Sequence, residues 1–359
     1  MSMRISDQIS DQRLLACSAT DVLARCCTLV EPALQAAVGR LHPWLQRMAG
    51  FSFGWCDLEG TPKVGAGMSG KGIRQALAVL SAEAAGSSVK TALPGSVAVE
   101  LVHAYSLIHD DIMDGDETRR HRVTLWKAYG TGPAVLTGDA LFALAVETVV
   151  GTRSEHATAA MSYLATTLTD LACGQAQDIE FETRPWIGAE AVGVDEYRAM
   201  ADRKTGSLLS CATVIGAVLA GAPPPVVGPL LLAGRHLGRV FQAVDDLLGI
   251  WGDPSVTGKP VFNDLRRGKK TLPVLAAISS NTSPGQDLGE LLSSPNGIDE
   301  HLLPQAARLI EQAGGRCFAR QESQRNLTRA LQILTDAPIT DSAAAELAIV
   351  AQFLDGRSR

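Results

Sequence analysis

Gly95-Ser-Val-Ala-Val-Glu-Leu-Val-His-Ala-Tyr-Ser-Leu-Ile-His-Asp-Asp-Ile-Met113 reads as one long helix. Its apolar residues recur at spacings of three and four, which is the helical period and not the alternation of a strand. The stretch ends in acid. Asp110 and Asp114 stand at i and i+4 and therefore point to one side, with His103 two turns back on the same face. The same periodicity, rich in Ala, Leu and Gln, predicts helices over Arg13–Met48, His156–Phe181, Pro229–Ile250 and Asp299–Leu334. No run of alternating β-branched residues stands out, and no Asn-Gly or Asp-Gly turn joins two such runs. The chain is expected to be all-α. Breaks fall at Gly50–Gly70, Thr183–Val194, Pro223–Gly228, Asp253–Arg267 and Ser279–Gly289, none of them long or simple enough to be an interdomain linker. A single helical domain over 1–359 with a central cavity is the expectation, with N-terminal helices in 1–50 and C-terminal helices in 285–359.

Composition narrows the function. The 359 residues are 46% hydrophobic, enough for a substantial core. A net charge of −6 offers no strong field for nucleic acid or an anionic membrane, so an anionic ligand must be caught by a local cluster. The cysteines Cys17, Cys26, Cys27, Cys56, Cys173, Cys211 and Cys317 are odd in number and lack CxxC spacing, which argues against a disulfide framework or a thiolate zinc site and for a reducing cytoplasm. Arg4, Asp7, Asp11 and Arg13 precede any long apolar run, unlike a signal peptide. The longest uncharged stretch, Thr205–Gly234, is split by Pro223-Pro224-Pro225 and reads as a buried helix pair rather than a membrane span.

A second acidic segment, Phe241-Gln242-Ala-Val-Asp245-Asp246-Leu-Leu-Gly249, answers the first from the end of another long helix. Acid is unfavourable at a helix C-terminus, where the dipole suits cations. Like charges about 4 Å apart repel by roughly 1 kcal/mol in water and about 4 kcal/mol at the effective dielectric of a protein site, so crowded carboxylates favour a bound divalent cation. Oxygen-only ligands suit Mg²⁺, which shares its shell with phosphate. Either cluster alone also reads as a solvated helix end. Arg119 and Arg120, planar donors matched to phosphate oxygens, follow the first cluster and turn the balance toward a diphosphate site.

At these residues the chain resembles the trans-isoprenyl diphosphate synthases, most strongly over 70–273. Asp110-Asp-Ile-Met-Asp114 with Arg119-Arg120 matches the family's first aspartate-rich motif, and Phe241-Gln-x-x-Asp245-Asp246 matches the second. Gly70-Lys71, Arg74, Gly174-Gln175 with Asp178, Lys204-Thr205, Gly258-Lys259 and Gly268-Lys269-x-Thr271 follow in the family's order. The resemblance implies that Lys71, Arg74, His103 and Arg120 hold isopentenyl diphosphate. It further implies that Arg119, Lys204 and Lys269 grip the allylic diphosphate, with Thr205, Gln242 and Lys259 beside it. Asp110 and Asp114 would bind two Mg²⁺ ions and Asp245 a third, Asp111 and Asp246 being partial ligands or supporting acceptors. Three positions depart from the pattern: Gly72 and Gln75 replace Arg and Pro, and Gly249 replaces the last Asp of the second motif. A weaker third metal and a higher requirement for isopentenyl diphosphate are the expected consequences.

The resemblance also bears on product and assembly. The first motif lacks the two-residue insertion common in bacterial farnesyl synthases, and Tyr105, five residues before Asp110, stands where a large aromatic forms a floor under the growing tail. That combination resembles the geranylgeranyl (C20) type, with farnesyl (C15) as the alternative. A class I terpene cyclase shares the fold but carries an Asn/Asp-x-x-Ser/Thr-x-x-x-Glu motif that is not found at Asp245–Asp253, and has no need of Lys71, Arg74 and His103. A non-catalytic partner subunit has no need to keep its aspartates. The partners implied are small isoprenoid diphosphates and a second copy of the chain, with no nucleic acid and no stable membrane insertion.

Overall fold

The computed structural model describes residues 18–63, 72–258, 260–294 and 297–356. Lys71 and Lys259 lie outside them. Helix α1, Ala19–Val38, starts on a capping box in which Ser18 Oγ accepts from Asp21 N and Asp21 accepts from Ser18 N at 3.0 Å. The single helix expected over Arg13–Met48 is interrupted at Gly39–His42. Pro43 opens α2, Pro43–Phe53, at a position where a missing N–H costs nothing.

Helix α3, Ile73–Ala84, is buried almost all round, and α4, Val89–Met113, extends the helix foreseen from Gly95 by accommodating Pro94 near its start. A two-residue ladder follows, β1 (Thr118–Arg119) against β2 (Arg122–Val123). Then come α5 (Leu125–Tyr129), α6 (Thr131–Val150), α7 (Ala157–Thr183) and α8 (Val194–Ala201). A π-turn, Asp202–Gly206, leads into α9, Ser207–Leu219, which is buried from Leu208 onward.

Pro223-Pro224-Pro225 does not make the break expected through Gly228. Pro223 is the N-cap and the next prolines fill the first turn of α10, Pro224–Trp251. The segment Asp253–Arg267 contains two single turns, α11 (Pro254–Thr257) and α12 (Asn263–Arg266). After α13 (Leu272–Ile278), much of the supposed break Ser279–Gly289 is helix, α14 (Ser283–Leu292), because Thr282 caps it by accepting from Gly285 N. Gly314, at φ 85°, divides the long C-terminal helix into α15 (Leu303–Gln312) and α16 (Gly315–Asp336), and α17 (Asp341–Gly356) closes the chain.

The layers are helix on helix. α10 packs along α16 and α9, α4 along α6, and α3 along α9, so that α3, α4, α9 and α10 form the centre. Val240 and Val244, Ala243 and Leu247, and Ile250 each join a different apolar cluster, so α10 alone ties all three clusters together. Among the described residues α4 and α6 are long and apolar enough to cross a membrane, while α9 and the start of α10 are not counted among such helices. The span window of α4 is 61% buried in the protein and that of α6 only 39%, a difference that matters for assembly below.

Candidate active site

The C-terminal ends of α4 and α10 open onto one cavity of about 790 Å³. Asp110, Asp111 and Asp114 reach it from α4, Gln242, Asp245 and Asp246 from α10, and Arg74 from α3. Arg119 and Arg120 come from the hairpin, Lys204 and Thr205 from the π-turn, and Lys269 from the segment before α13. The two acidic segments and these cations therefore line one cavity. The apolar wall below is built by Ala104, Leu107, Ile108, Leu171, Met200 and Leu208.

Each acid on α4 has its own electrostatic setting. Shielding from solvent pushes Asp110 up, against the pull of Lys204 and Arg119. Burial raises Asp111 to about 6 although Arg119 Nε donates to its Oδ1 at 2.6 Å. Asp114 is also pushed up by burial, yet it ends below the usual carboxylate value because Lys269 Nζ donates to its Oδ1 at 3.0 Å. Lys204 Nζ donates to Asp178 Oδ2 at 2.6 Å, and Lys269 stands 3.8 Å from that same oxygen and also touches Glu182. Asp178 thus couples the two lysines, a role its place among the sequence landmarks does not reveal.

The π-turn carrying Lys204 exists because α7 lets it approach. A Cβ on Gly174 would lie 2.4 Å from Lys204 N and 2.7 Å from its Cα. Thr205 Oγ1 donates to Gln242 Oε1 at 2.6 Å, joining the turn to α10. Gln242 Nε2 in turn donates to Asp246 Oδ1 at 2.8 Å. Asp246 Oδ2 accepts from Tyr197 OH at 2.6 Å and from Leu272 N at 2.8 Å, and burial raises its pKa to about 7. Asp246 is therefore a buried anchor between α8, α10 and α13. Tyr197, which completes that anchor, carries no signal in the sequence.

On the opposite side Arg74 lies over the Phe241 ring at 5.2 Å, and its Nη1 is 3.2 Å from His103 Nε2. Desolvation, with Arg74 and Arg120 nearby, holds His103 well below the ordinary imidazole pKa. His103 is therefore a neutral hydrogen-bonding group here. Gly72, at φ 60°, has Cys27 Sγ and Gln75 Nε2 within 2.5 Å of where a Cβ would stand. The departures at Gly72 and Gln75 thus share one piece of space with Cys27.

The all-α expectation holds, the one ladder among the described residues being two residues long: Arg120 (φ 50°) and His121 (φ 61°) form a tight turn without glycine that presents Arg119 and Arg120. One expectation is corrected. Tyr105 does not face the cavity directly. Five residues at about 100° each carry it some 140° around α4 from Asp110, and its ring packs on His109 (centroids 5.0 Å) and on Phe142 of α6 (5.5 Å). Its neighbours Ala104 and Ser106 line the cavity instead.

The polyprenyl synthetase family model matches residues 63–310. This chain belongs to that family. The match to the polyprenyl synthetases extends beyond the 70–273 in which the motifs lie. A (2E,6E)-farnesyl diphosphate synthase of Mycobacterium tuberculosis is 42% identical over 339 residues, covering 94% of this chain and 92% of the relative. A geranylgeranyl diphosphate synthase of the same organism is 42% identical over 307 residues, with 85% and 86% covered. The crystal structure of a polyprenyl synthetase from Streptomyces coelicolor A3(2) superposes with a TM-score of 0.87 at 44% identity, over 94% of this chain and 99% of that one. Polyprenyl synthetases are enzymes, and the two acidic segments belong to that setting.

Proposed function

We propose that this chain is a trans-prenyltransferase that joins isopentenyl diphosphate to an allylic diphosphate head to tail (1′-4), with geranylgeranyl diphosphate as its product. The observation that carries the reading is that Asp110 and Asp114 of the first acidic segment and Asp245 on α10 line one cavity together with Arg74, Arg119, Arg120, Lys204 and Lys269. Arg119, Lys204 and Lys269 would hold the allylic diphosphate beside Thr205, Gln242 and Lys259. Arg74, Arg120 and the polar His103, with Lys71, would hold isopentenyl diphosphate.

The donor set fits Mg²⁺. Every candidate ligand is a carboxylate oxygen, and among the described residues no three acidic or imidazole side chains converge on one point. That suits an ion which takes one or two carboxylates and completes its shell with water and substrate phosphate. Asp110, Asp114 and Asp245 would hold Mg²⁺, three ions on this reading, and the bound metal neutralises charge growing on the departing diphosphate. Asp111 and Asp246, engaged with Arg119 and Tyr197, would support rather than ligate.

The side chains do the rest. Arg119 and Lys204, fixed by Asp111 and Asp178, present charge to the leaving group without reorganisation, which is where preorganised sites gain most, and Lys269 joins them on leaving Asp114. Holding both substrates in register removes an entropic barrier of up to about 7 to 11 kcal/mol. The wall of Leu107, Ile108, Leu171 and Leu208 excludes water from the allylic cation. The released diphosphate accepts the final proton.

We place the whole chain in one domain, supported by the way α10 joins all three apolar clusters. A homodimer is supported by the surface. Val135, Leu136, Phe142 and Val150 are exposed on α6, beside exposed Ala165, Ala172, Ala176 and Ile179 on α7, an apolar face that a second copy would cover.

The test is incubation of the purified protein with Mg²⁺, labelled isopentenyl diphosphate and dimethylallyl, geranyl or farnesyl diphosphate, followed by dephosphorylation and sizing of the alcohols. Geranylgeraniol is expected. Farnesol as end product would favour the C15 reading, which the farnesyl synthase relative supports. Inactivity with every primer would leave a non-catalytic subunit, and a cyclic hydrocarbon from one allylic diphosphate would mean a cyclase.

A further inference from the structure

Lys269 Nζ donates to Asp114 Oδ1 at 3.0 Å, a tie it must give up when Asp114 takes Mg²⁺. The turn that carries Lys269 then needs another hold on the first acidic segment if the lysine is to stay over the cavity. Arg267, two residues earlier and lining the same cavity, makes that hold. Its Nη2 donates to Asp116 Oδ1 and, at 3.4 Å, to the backbone oxygen of Asp114. Asp114 Oδ2 lies 3.9 Å from Nη1, outside hydrogen-bonding distance. The arginine therefore grips a side chain and a carbonyl that the metal does not need.

Asp116 is a firm partner. It is 7% exposed, its N–H donates to Asp111 O at 2.9 Å, and its own carbonyl accepts from Thr124 Oγ1 at 2.7 Å and from Trp126 Nε1 at 2.8 Å. Its Oδ2 stands 3.9 Å from Arg119 Nη2, while Arg119 Nε is bonded to Asp111. Asp116 thus sits between two arginines, one from the hairpin and one from the end of α12.

The link from Arg267 to Lys269 is short and closed. Gly268 N donates to Leu265 O at 3.1 Å and Lys269 N to Asp264 O at 2.9 Å, the pair of bonds that ends a helix in a Schellman turn. Gly268 takes the left-handed conformation that this turn requires, φ 65°, and Leu265 is buried beneath it. Fixing Arg267 therefore fixes the backbone from which Lys269 reaches.

We propose that Arg267 is a positioning residue for the reaction: anchored on Asp116, it holds the Gly268–Lys269 turn over the cavity while Lys269 exchanges Asp114 for diphosphate. It acts through Lys269 and does not itself touch substrate. Arginine suits the task because its planar fork spans two acceptors, which an ammonium does not. The inference rests on the Mg²⁺–diphosphate reading of the cavity given above.

The experiment combines calorimetric titration of the full chain with inorganic diphosphate, with and without Mg²⁺, and steady-state kinetics with each substrate varied. Arg267→Gln should weaken the Mg²⁺-dependent binding of diphosphate and raise the KM for the allylic diphosphate, each about tenfold, with the KM for isopentenyl diphosphate changed by less than about twofold. In a Lys269→Ala background the same substitution should change either value by less than about twofold, because the residue through which it acts is gone. Arg267→Lys, which keeps the charge without the fork, should fall between Arg267→Gln and the unsubstituted protein, and it carries the test if Arg267→Gln does not fold. Losses that multiply to about a hundredfold in the double variant would overturn the inference, since Arg267 would then meet diphosphate itself. So would equal rises in both KM values with a lowered melting temperature, which mark a structural role, or an unchanged affinity in both Arg267 variants. Failure of the unsubstituted protein to bind diphosphate with Mg²⁺ would instead bring down the proposed function, and this inference with it.

Discussion

Lys269 Nζ stands 3.0 Å from Asp114 Oδ1, with Glu182 against the same nitrogen. The carboxylate proposed to take Mg²⁺ thus has a resident cation, and the lysine proposed to take diphosphate has resident anions. Metal and substrate must exchange these partners together. Lys269→Ala should therefore move two constants in opposite directions. Mg²⁺ would meet less competition at Asp114, and its half-saturating concentration would fall. The allylic diphosphate would lose a charged donor, and its KM would rise about tenfold or more. Steady-state kinetics with each component varied in turn checks both, and a rise in both constants would refute the exchange.

The approach of α7 to the π-turn gives a steric test. With Lys204 N and Cα lying 2.4 and 2.7 Å from the Cβ that Gly174→Ala would add, backbone must move, not a flexible side chain. A loss of about 1 to 3 kcal/mol in urea unfolding is expected, together with lower activity as Lys204 is displaced from Asp178. Gly228→Ala in α10, where a Cβ meets nothing within 4 Å, is the matched control and should be neutral or slightly stabilising.

These two sites mark how far the sequence could be read. The spacing of Asp110 and Asp114 is a helical fact, legible because both residues sit on one regular element, and so are the apolar periods of α4, α7 and α10. Pro223 to Pro225 misleads because proline interrupts a helix interior but fits a first turn, and only the partner of the next turn tells which applies. The hairpin under Arg119 and Arg120 is hidden because its left-handed residues are Arg and His, with no glycine or asparagine to announce them. Asp178 and Tyr197 draw their importance from residues on other elements, and no local pattern encodes a contact across the fold. The lowered pKa of His103 is hidden too, because desolvation depends on the packing around it.

Tyr105 offers a test of product length despite lying behind the lining. Its ring, Phe142 and His109 close the space between α4 and α6 just beyond Ala104 and Ser106. Tyr105→Ala should open that space and let the tail pass, shifting the product from C20 to at least C25 with little change in kcat for the first condensation. Sizing the dephosphorylated alcohols at equal turnover decides the point. An unchanged product distribution would show that the lining residues Ala104, Ser106 and Leu107 set the limit instead.

Lys270 gives a pH test independent of the metal-binding aspartates. The side chain is buried, with Nζ 3.7 Å from the centre of the Trp186 ring, and burial, reinforced by Arg184 against the pull of Glu182, lowers its pKa to about 8. The unfolded value is about 10.4. Between those limits the unfolded chain binds more protons than the folded one, so this residue makes stability rise with pH from about 8 to about 10.4. Below pH 8 both states are protonated and the cost of burying the charge is fully present, on the order of 3 kcal/mol. Lys270→Met removes the charge and keeps most of the apolar stem. It should be more stable than the unsubstituted protein at pH 7, and the gap in urea midpoints should close steadily as pH is raised toward 10. A gap that stays constant across that range would mean that packing against Trp186, and not the buried charge, governs this position.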